Sequence, residues 1–345
     1  MEMFAEDLTI PVVLRLLGSG AAGAILMALS GGPLRTKTLT ERVYGFTPRT
    51  IYRYTGKLTQ LGVLEREEEP GVPSKVVHSL SDPSGQELRD LLVAYGDFAL
   101  AKLPNGEIDA QAWSSLGLLA DLWESGMIEA LNSKPRSPTE LARGEHELSY
   151  HQVHRRAGLF AASGFLEESL AAGGKRQGYA LTDKARRGIA LIAGIGHWRR
   201  WNLQGRETAG ATPFEVAVML RTALPLVNLP EHADKSFKLS VTASSERNGS
   251  EGEIVWGRIA GDGALSFGAG PVAHFDGWGR GEAGAWMATL CEGSHQGIRF
   301  GGDSPLVAAL LTQLHRELWP RKPLGSPAST EAVTAGNDSP ELSYS

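Results

Sequence analysis

The sequence lacks several features that mark particular classes of protein. Its 345 residues include a single cysteine, Cys291, so neither an intrachain disulfide nor a zinc site built from cysteines can form. No apolar run is long enough to span a bilayer, and the acidic start MEMFAEDLTI differs from the basic start of a secretory signal. We therefore predict a cytoplasmic protein with no membrane partner.

The chain also has little excess of charge of either sign. Its formal net charge is −5, which excludes a basic coat over the whole molecule but leaves room for a local basic face. With 42% hydrophobic and 21% charged residues, it has the composition of globular domains, and its length allows two or three of them. Residues 321–345 contain few large apolar side chains, so we predict a disordered tail there.

Signatures of catalysis are missing as well. The sequence has no serine-elbow motif and no pair of carboxylates that indicates a hydrolase. Two matches to GxGxxG, at 18–23 and 279–284, lie outside any βαβ unit, and a chain with 42 glycines produces such matches by chance. Three nearby histidines, 146, 151 and 154, lack a second group of ligands. We predict no enzymatic activity, no cofactor and no metal.

What the sequence does contain is an internal repeat. Residues 26–66 align without gaps with 128–168, at a constant offset of 102, and the similarity resumes between 80–92 and 181–193. Pairs such as Arg53 with Arg155 fall at equivalent positions. This period is too long for a solenoid unit. We predict two copies of one domain, at residues 1–105 and 106–208.

The pattern within each copy is that of a winged helix-turn-helix. In the first copy we predict a helix over 18–30 and a short helix capped by Thr38. Another helix, capped by Thr47 with Pro48 in its first turn, ends at Gly62. Two short strands around a Gly/Pro turn then form a wing, and a helix over 82–102 closes the copy.

The helix that Thr47 caps has one apolar face and one basic face. Arg49, Arg53 and Lys57 share the outer face without an intervening acid, which suits the DNA major groove. The predicted DNA contacts are Thr47, Arg49, Thr50, Tyr52, Arg53 and Lys57 in the first copy and Tyr150, His151, His154, Arg155, Lys175 and Arg176 in the second. The alternative is a module for dimerisation or for contacts with proteins.

The segments GGPLR, TPRT and LGVLERE give the first copy a resemblance to the HxlR group of bacterial winged-helix regulators, relatives of the MarR group. In the second copy, YALTDKARRGIALIAGIGHWRRW resembles the end of the same fold, so the likeness covers about residues 10–205. The resemblance implies binding to double-stranded DNA. Members of the group usually carry one winged helix and act as dimers, which implies a covalent pseudo-dimer here, or a homodimer.

Residues 209–320 have a different pattern, that of a third, α+β domain. We predict helices over 213–228 and 282–293, strands over 235–244 and 252–260, and a last helix capped by Ser304. The Gly-Asp of GGDSPLVAALL and the preceding order of elements resemble the sterol-carrier-protein type of lipid-binding domain. This implies an apolar pocket, and Trp256, Trp278 and Trp286 would either line it or form the domain's core.

We therefore predict an α+β chain with two tandem winged helix-turn-helix domains and a small lipid-carrier-like domain. As a function we predict a sequence-specific transcriptional regulator, modulated by an apolar small molecule bound in the C-terminal domain. The alternative is a hydrophobic-ligand carrier, or a protein-interaction module, whose winged helices do not bind DNA.

Overall fold

The computed structural model describes residues 9–70, 75–99, 110–143, 149–170, 177–202, 211–243, 252–267 and 274–320. No single helix in these ranges has the length and apolar character needed to cross a membrane. Only a pair of helical segments that meet at 77°, Ile10–Gly18 and Ala21–Gly31, meets those two criteria when taken together.

The first part of the chain folds as a winged helix-turn-helix. Its elements are α1 (Ile10–Gly18), α2 (Ala21–Ala28), β1 (Leu34–Arg35), α3 (Thr36–Arg42), α4 (Pro48–Gln60), β2 (Leu64–Glu69), β3 (Lys75–Leu80) and α5 (Ser84–Ala99). The strands form one antiparallel sheet in the order β1-β3-β2. The predicted wing is therefore present, and β1 extends it by a third strand that the sequence pattern did not indicate.

Two local predictions for this part of the chain are corrected by the structure. The helix predicted over 18–30 begins only at Ala21, because Gly20 has a φ of +75° and separates α1 from α2. Thr38 does not cap α3, because that helix already begins at Thr36 and its N-cap position is Arg35. The sequence Gly-Ser-Gly at 18–20 is itself a signal for such a break.

The next part contains α6 (Ala110–Glu124), α7 (Met127–Leu131), α8 (Pro138–Ala142), α9 (Tyr150–Ala162), β4 (Leu166–Leu170), β5 (Gln177–Leu181), α10 (Asp183–Arg187) and α11 (Ile189–Asn202). Both ends of α9 lie 102 residues after the corresponding ends of α4 (150 − 48 and 162 − 60). Strands β4 and β5 form an antiparallel hairpin. An isolated bridge between Arg136 and Tyr179 occupies the place of the β1–β3 pairing.

These two parts pack against each other through their first and last helices. α1 lies along α6, where a side chain at Gly18 would place its Cβ 2.6 Å from the backbone nitrogen of Gly117. α5 lies along α11, and the buried indole of Trp198 donates a hydrogen bond of 3.0 Å to the carbonyl of Ser84. Trp198 therefore lies inside the contact between α5 and α11.

The C-terminal part is a five-stranded sheet with helices against it. Its elements are α12 (Pro213–Ala223), β6 (Ser236–Thr242), β7 (Glu253–Ile259), β8 (Leu265–Ser266), β9 (Gly277–Glu282), α13 (Ala283–Glu292), β10 (Arg299–Gly302) and α14 (Ser304–Leu318). The strand order is β10-β9-β6-β7-β8, in which β6 and β9 are parallel and the other pairs antiparallel. α14 is capped by Asp303, whose carboxylate accepts from the amide of Leu306, and not by Ser304 as predicted.

Candidate nucleic-acid interface

The helix α4 is fixed in the fold by one face only. The side-chain oxygen of Thr47 accepts a hydrogen bond from the amide of Thr50, and Pro48 occupies the first turn, as the sequence indicated. Ile51 and Leu58 are fully buried, and Gly62, with φ of +72°, follows the end of the helix. The apolar face therefore sets the rotation of the helix and leaves the opposite face to solvent.

The opposite face is basic. Arg49, Arg53 and Lys57 are exposed, and none of them forms an ion pair with a carboxylate of the described residues. The half-buried ring of Tyr54 lies between two of these charges. The guanidinium carbon of Arg53 is 4.9 Å, and the ammonium of Lys57 5.5 Å, from its ring centroid. Because a cation is attracted to the face of an aromatic ring, Tyr54 orients both side chains.

A glycine interrupts this basic face in the middle of the helix. Gly56 is exposed, and a Cβ added there would meet no atom within 4 Å. A glycine inside a helix costs about 1 kcal/mol relative to alanine, and no neighbour in the described part of the chain requires it here. The missing side chain does allow a partner surface to approach the helix backbone closely.

Comparison with known proteins fits this geometry. Residues 16–106 match the family described as HxlR-like helix-turn-helix. This part of the chain is an HxlR-like helix-turn-helix domain. Among solved structures, "Putative transcriptional regulator ytfH from Salmonella typhimurium" is 31% identical to the chain over 28% of its length. The match spans 85% of that structure, with a TM-score of 0.25. No curated protein matches the chain significantly.

The predicted contact residues of the HxlR-like domain lie together. Thr47, Arg49, Tyr52, Arg53 and Lys57 are all exposed on or next to α4, and Thr50 is half-buried beside the cap. The sequence pattern missed Tyr44, which is 76% exposed in the turn that precedes α4. A turn has no helical periodicity, so nothing in the pattern singled this tyrosine out. Its phenol adds a hydrogen-bonding group to the same edge of the HxlR-like domain.

The wing of the HxlR-like domain carries the acidic run at residues 65–69. Two of its glutamates are paired with arginines: Glu69 accepts from Arg35 at 2.9 Å, and Glu68 accepts from Arg66 at 2.7 Å. These pairs neutralise part of the acidic run. The tip of the wing, residues 71–74, lies outside the described residues.

The residues predicted as contacts in the second copy are only partly described. Tyr150, His151, His154 and Arg155 are exposed on α9, and the ring centroids of Tyr150 and His154 are 6.0 Å apart. Gly158 lies 102 positions after Gly56 and is likewise exposed, with no atom within 4 Å of an added Cβ. Lys175 and Arg176 lie outside the described residues.

The three tryptophans predicted to line a ligand pocket do not lie together. Trp286 is fully buried, and its indole nitrogen donates to the carbonyls of Ser240 and Gly281, so it belongs to the core of the C-terminal part. Trp256 and Trp278 lie on the other face of the sheet, on either side of Lys238 in the strand register. The sheet therefore separates Trp286 from Trp256 and Trp278, and the structure does not bring the three side chains together.

Proposed function

We propose that the chain is a sequence-specific regulator that binds double-stranded DNA with α4 in the major groove. The observation that carries this proposal is the exposed face of α4. There three cations, which have no carboxylate partner among the described residues, surround Gly56, where an added Cβ would meet no atom within 4 Å. Arginine and lysine recognise guanine edges and phosphates, and the open backbone at Gly56 allows the helix to lie deep in the groove. The HxlR-like family of this domain supports the same conclusion.

We further propose that residues 110–202 form a second winged helix, so that one chain is a pseudo-dimer. The equal length of α4 and α9, their offset of 102 and the matching Gly56 and Gly158 support this. The contacts between the two parts support it too. α1 packs against α6, which is its equivalent about 102 residues later in the chain. In the same way, α5 packs against its own equivalent, α11. Such pairing of like with like is the pattern of a two-fold interface.

Selection of bound DNA from a random pool, followed by footprinting of the selected site, tests both proposals. We expect two protected half-sites about 10 base pairs apart, or a multiple of that spacing, on one face of the duplex. The half-sites should differ in sequence, because α4 and α9 offer different side chains. One short protected site that Arg155→Ala leaves unchanged would contradict the pseudo-dimer, and no sequence preference at all would contradict the regulator.

We also propose that the C-terminal part is an effector domain. Two hydrogen-bonded contacts support communication with the second part: Arg186 donates to the carbonyl of Thr222 at 2.9 Å, and Arg187 binds the Glu317 side chain at 3.0 Å. An effector changes DNA affinity only if it prefers one arrangement of the winged helices. The apolar character expected for this effector stays a prediction.

The effector role is testable in the full chain. DNA titrations with and without an organic extract of the cells would be compared between the wild type and Arg187→Ala. We expect the extract to change the affinity of the wild type, and the variant to bind DNA while responding less. An identical response of both proteins would remove the contact at Arg187 from the pathway.

A further inference from the structure

The C-terminal sheet has one face covered by helices and one face open. Helices α12, α13 and α14 pack against the sheet, where Phe237, Leu239 and Val241 of β6 are fully buried. In the neighbouring strands β9 and β10, every second side chain points away from these helices. Trp278, Arg280 and Arg299 are exposed on that side of the sheet. This open face carries basic and aromatic side chains, whereas the covered face is apolar.

Two arginines lie directly opposite each other on the open face. Arg280 of β9 and Arg299 of β10 are cross-strand partners in the antiparallel register. Neither forms an ion pair with an acid of the described residues. Like charges at directly opposed positions destabilise a sheet, so the fold gains nothing from this pair by itself. An anion held between the two guanidinium groups would remove the repulsion.

The pair borders a cleft at the end of the sheet. The cleft has a volume of about 620 Å³, and its lining includes Arg280, Arg299, Ile298, Ala285 and Glu282. Ala285 lies in the first turn of α13, whose N-cap residue, Glu282, makes no capping hydrogen bond with its side chain. The partial positive charge of that helix end therefore adds to the two arginines.

An aromatic surface adjoins the cleft. Trp278 lies two residues before Arg280 on the same face, which is about 7 Å along a strand. Its ring covers Gly301, where an added Cβ would lie 2.2 Å from the indole, and 41% of Trp278 remains exposed. A ligand whose anionic group reached the arginines could thus lay an apolar body against this indole.

We propose that this cleft binds a small organic anion, a carboxylate, sulfonate or phosphate ester on an aromatic or aliphatic body. Two arginines and one glutamate leave a net charge of +1 at the cleft, which favours an anionic ligand. This proposal names the chemical class of ligand that the proposed effector domain would bind. Binding itself does not depend on the proposed function, whereas the regulatory role of the ligand rests on it. Binding is measured without DNA, so failure of the site and failure of the regulator are distinguishable.

A matched pair of fluorescent probes tests the charge requirement on the full chain. 1-Anilinonaphthalene-8-sulfonate carries an anionic sulfonate, and N-phenyl-1-naphthylamine has the same rings without it. We expect Arg280→Gln/Arg299→Gln to weaken binding of the sulfonate about tenfold or more, since charge-assisted hydrogen bonds are lost, and to leave the neutral probe unaffected. Arg258→Gln, an exposed arginine of β7 on the same face, is the control and should bind both probes as the wild type does.

A second measurement uses inorganic sulfate and the melting temperature at low ionic strength. We expect sulfate to raise the melting temperature of the wild type and of Arg258→Gln more than that of the double variant. The double variant lacks both guanidinium groups, so sulfate has no repulsion between them to relieve. Equal binding of the sulfonate probe by wild type and double variant, or equal stabilisation by sulfate, would overturn the proposal. Displacement of the probe by a single-stranded oligonucleotide but not by sulfate would assign the face to nucleic acid instead.

Discussion

The helices α4 and α9 share their length and their buried positions but differ on their outer faces. Ile51, Thr55 and Leu58 are buried in α4, and the residues 102 positions later, Val153, Ala157 and Phe160, are buried in α9. Outside, α4 presents two arginines and a lysine, whereas α9 presents two histidines, one arginine and Tyr150. The same packing pattern therefore holds two chemically different surfaces, and under the proposed function we expect them to recognise different DNA sequences.

The residue between the buried and the exposed face of each helix, Tyr54 in α4 and Arg156 in α9, accounts for part of the difference between the two outer faces. In α4 the ring of Tyr54 orients Arg53 and Lys57. Arg156 occupies that position in α9 and is half-buried. The hydrogen bond from Arg15 lowers the pKa of Glu124, and the positive charge of Arg156 adds a smaller effect. Because α9 has no aromatic ring at this position to orient its cations, we expect α4 to contribute more to DNA affinity.

The largest effect that we expect concerns the contact between the two parts. Trp198 is buried with 1% of its surface exposed, so Trp198→Ala should reduce the free energy of unfolding by about 3–5 kcal/mol. Trp198→Phe keeps most of the packing and loses the hydrogen bond to Ser84, which should cost about 1 kcal/mol. Urea unfolding measures both values. Wild-type stability of Trp198→Ala would show that the two parts do not depend on this contact.

The comparison of the outer faces is tested by two triple variants. Arg49→Ala/Arg53→Ala/Lys57→Ala should lower the affinity for the selected DNA by at least about a hundredfold, since each base contact contributes about 1–3 kcal/mol. His151→Ala/His154→Ala/Arg155→Ala should have a smaller effect. Fluorescence anisotropy over a range of salt concentrations would also separate base contacts from phosphate contacts, because only lost phosphate contacts flatten the salt slope. Normal DNA binding by a folded first variant would exclude α4 from the interface.

Gly56 and Gly158 allow a test in which the free energy of unfolding rises while the affinity for DNA falls. Gly56→Ala should raise the free energy of unfolding by about 1 kcal/mol, because alanine favours the helix and meets no neighbour. The same methyl group should weaken DNA binding if the helix backbone lies close to the bases. Gly158→Ala is the matched change in α9. If both variants bind DNA as the wild type does, neither helix backbone approaches the duplex closely.

The smallest effect that we expect is on the stability of the protein at acid pH, and it again distinguishes the two parts. His78 is 5% exposed and lies 3.1 Å from the hydroxyl of Thr36, and its burial lowers its pKa below 6.5. The unfolded chain then binds a proton that the folded chain excludes, so the stability present above pH 6.5 is lost as the pH falls through the lowered pKa. In the second part, Tyr179 occupies the corresponding position of the bridge to Arg136.

His78→Tyr should therefore weaken the fall of melting temperature between pH 7 and pH 5 without abolishing it. Burial also lowers the pKa of His197, His295 and His315, which maintain the remaining slope. Melting curves of the wild type and His78→Tyr over this range are the measurement. An unchanged slope would mean that His78 is not the group that takes up the proton.

Local order along the chain followed from the sequence. Thr47, Pro48 and Gly62 mark the ends of α4 because a cap, a fixed φ and a positive φ are properties of single residues and their neighbours. The exposed basic face of α4 followed from helical spacing for the same reason. The helices α12, α13 and α14 and the strands β6 and β7 of the C-terminal part were also predicted in their order, apart from the cap of α14.

What the sequence left undecided depends on residues that are far apart in the chain. The alternation of β9 predicts that Trp278 and Arg280 share a face, but only the pairing of β9 with β10 places Arg299 opposite Arg280. Likewise, Trp286 and Trp278 are equally apolar in the sequence, and the sheet decides that one is core and the other half exposed. Burial and charge pairing arise from long-range packing, which single-residue preferences and local periodicity do not contain.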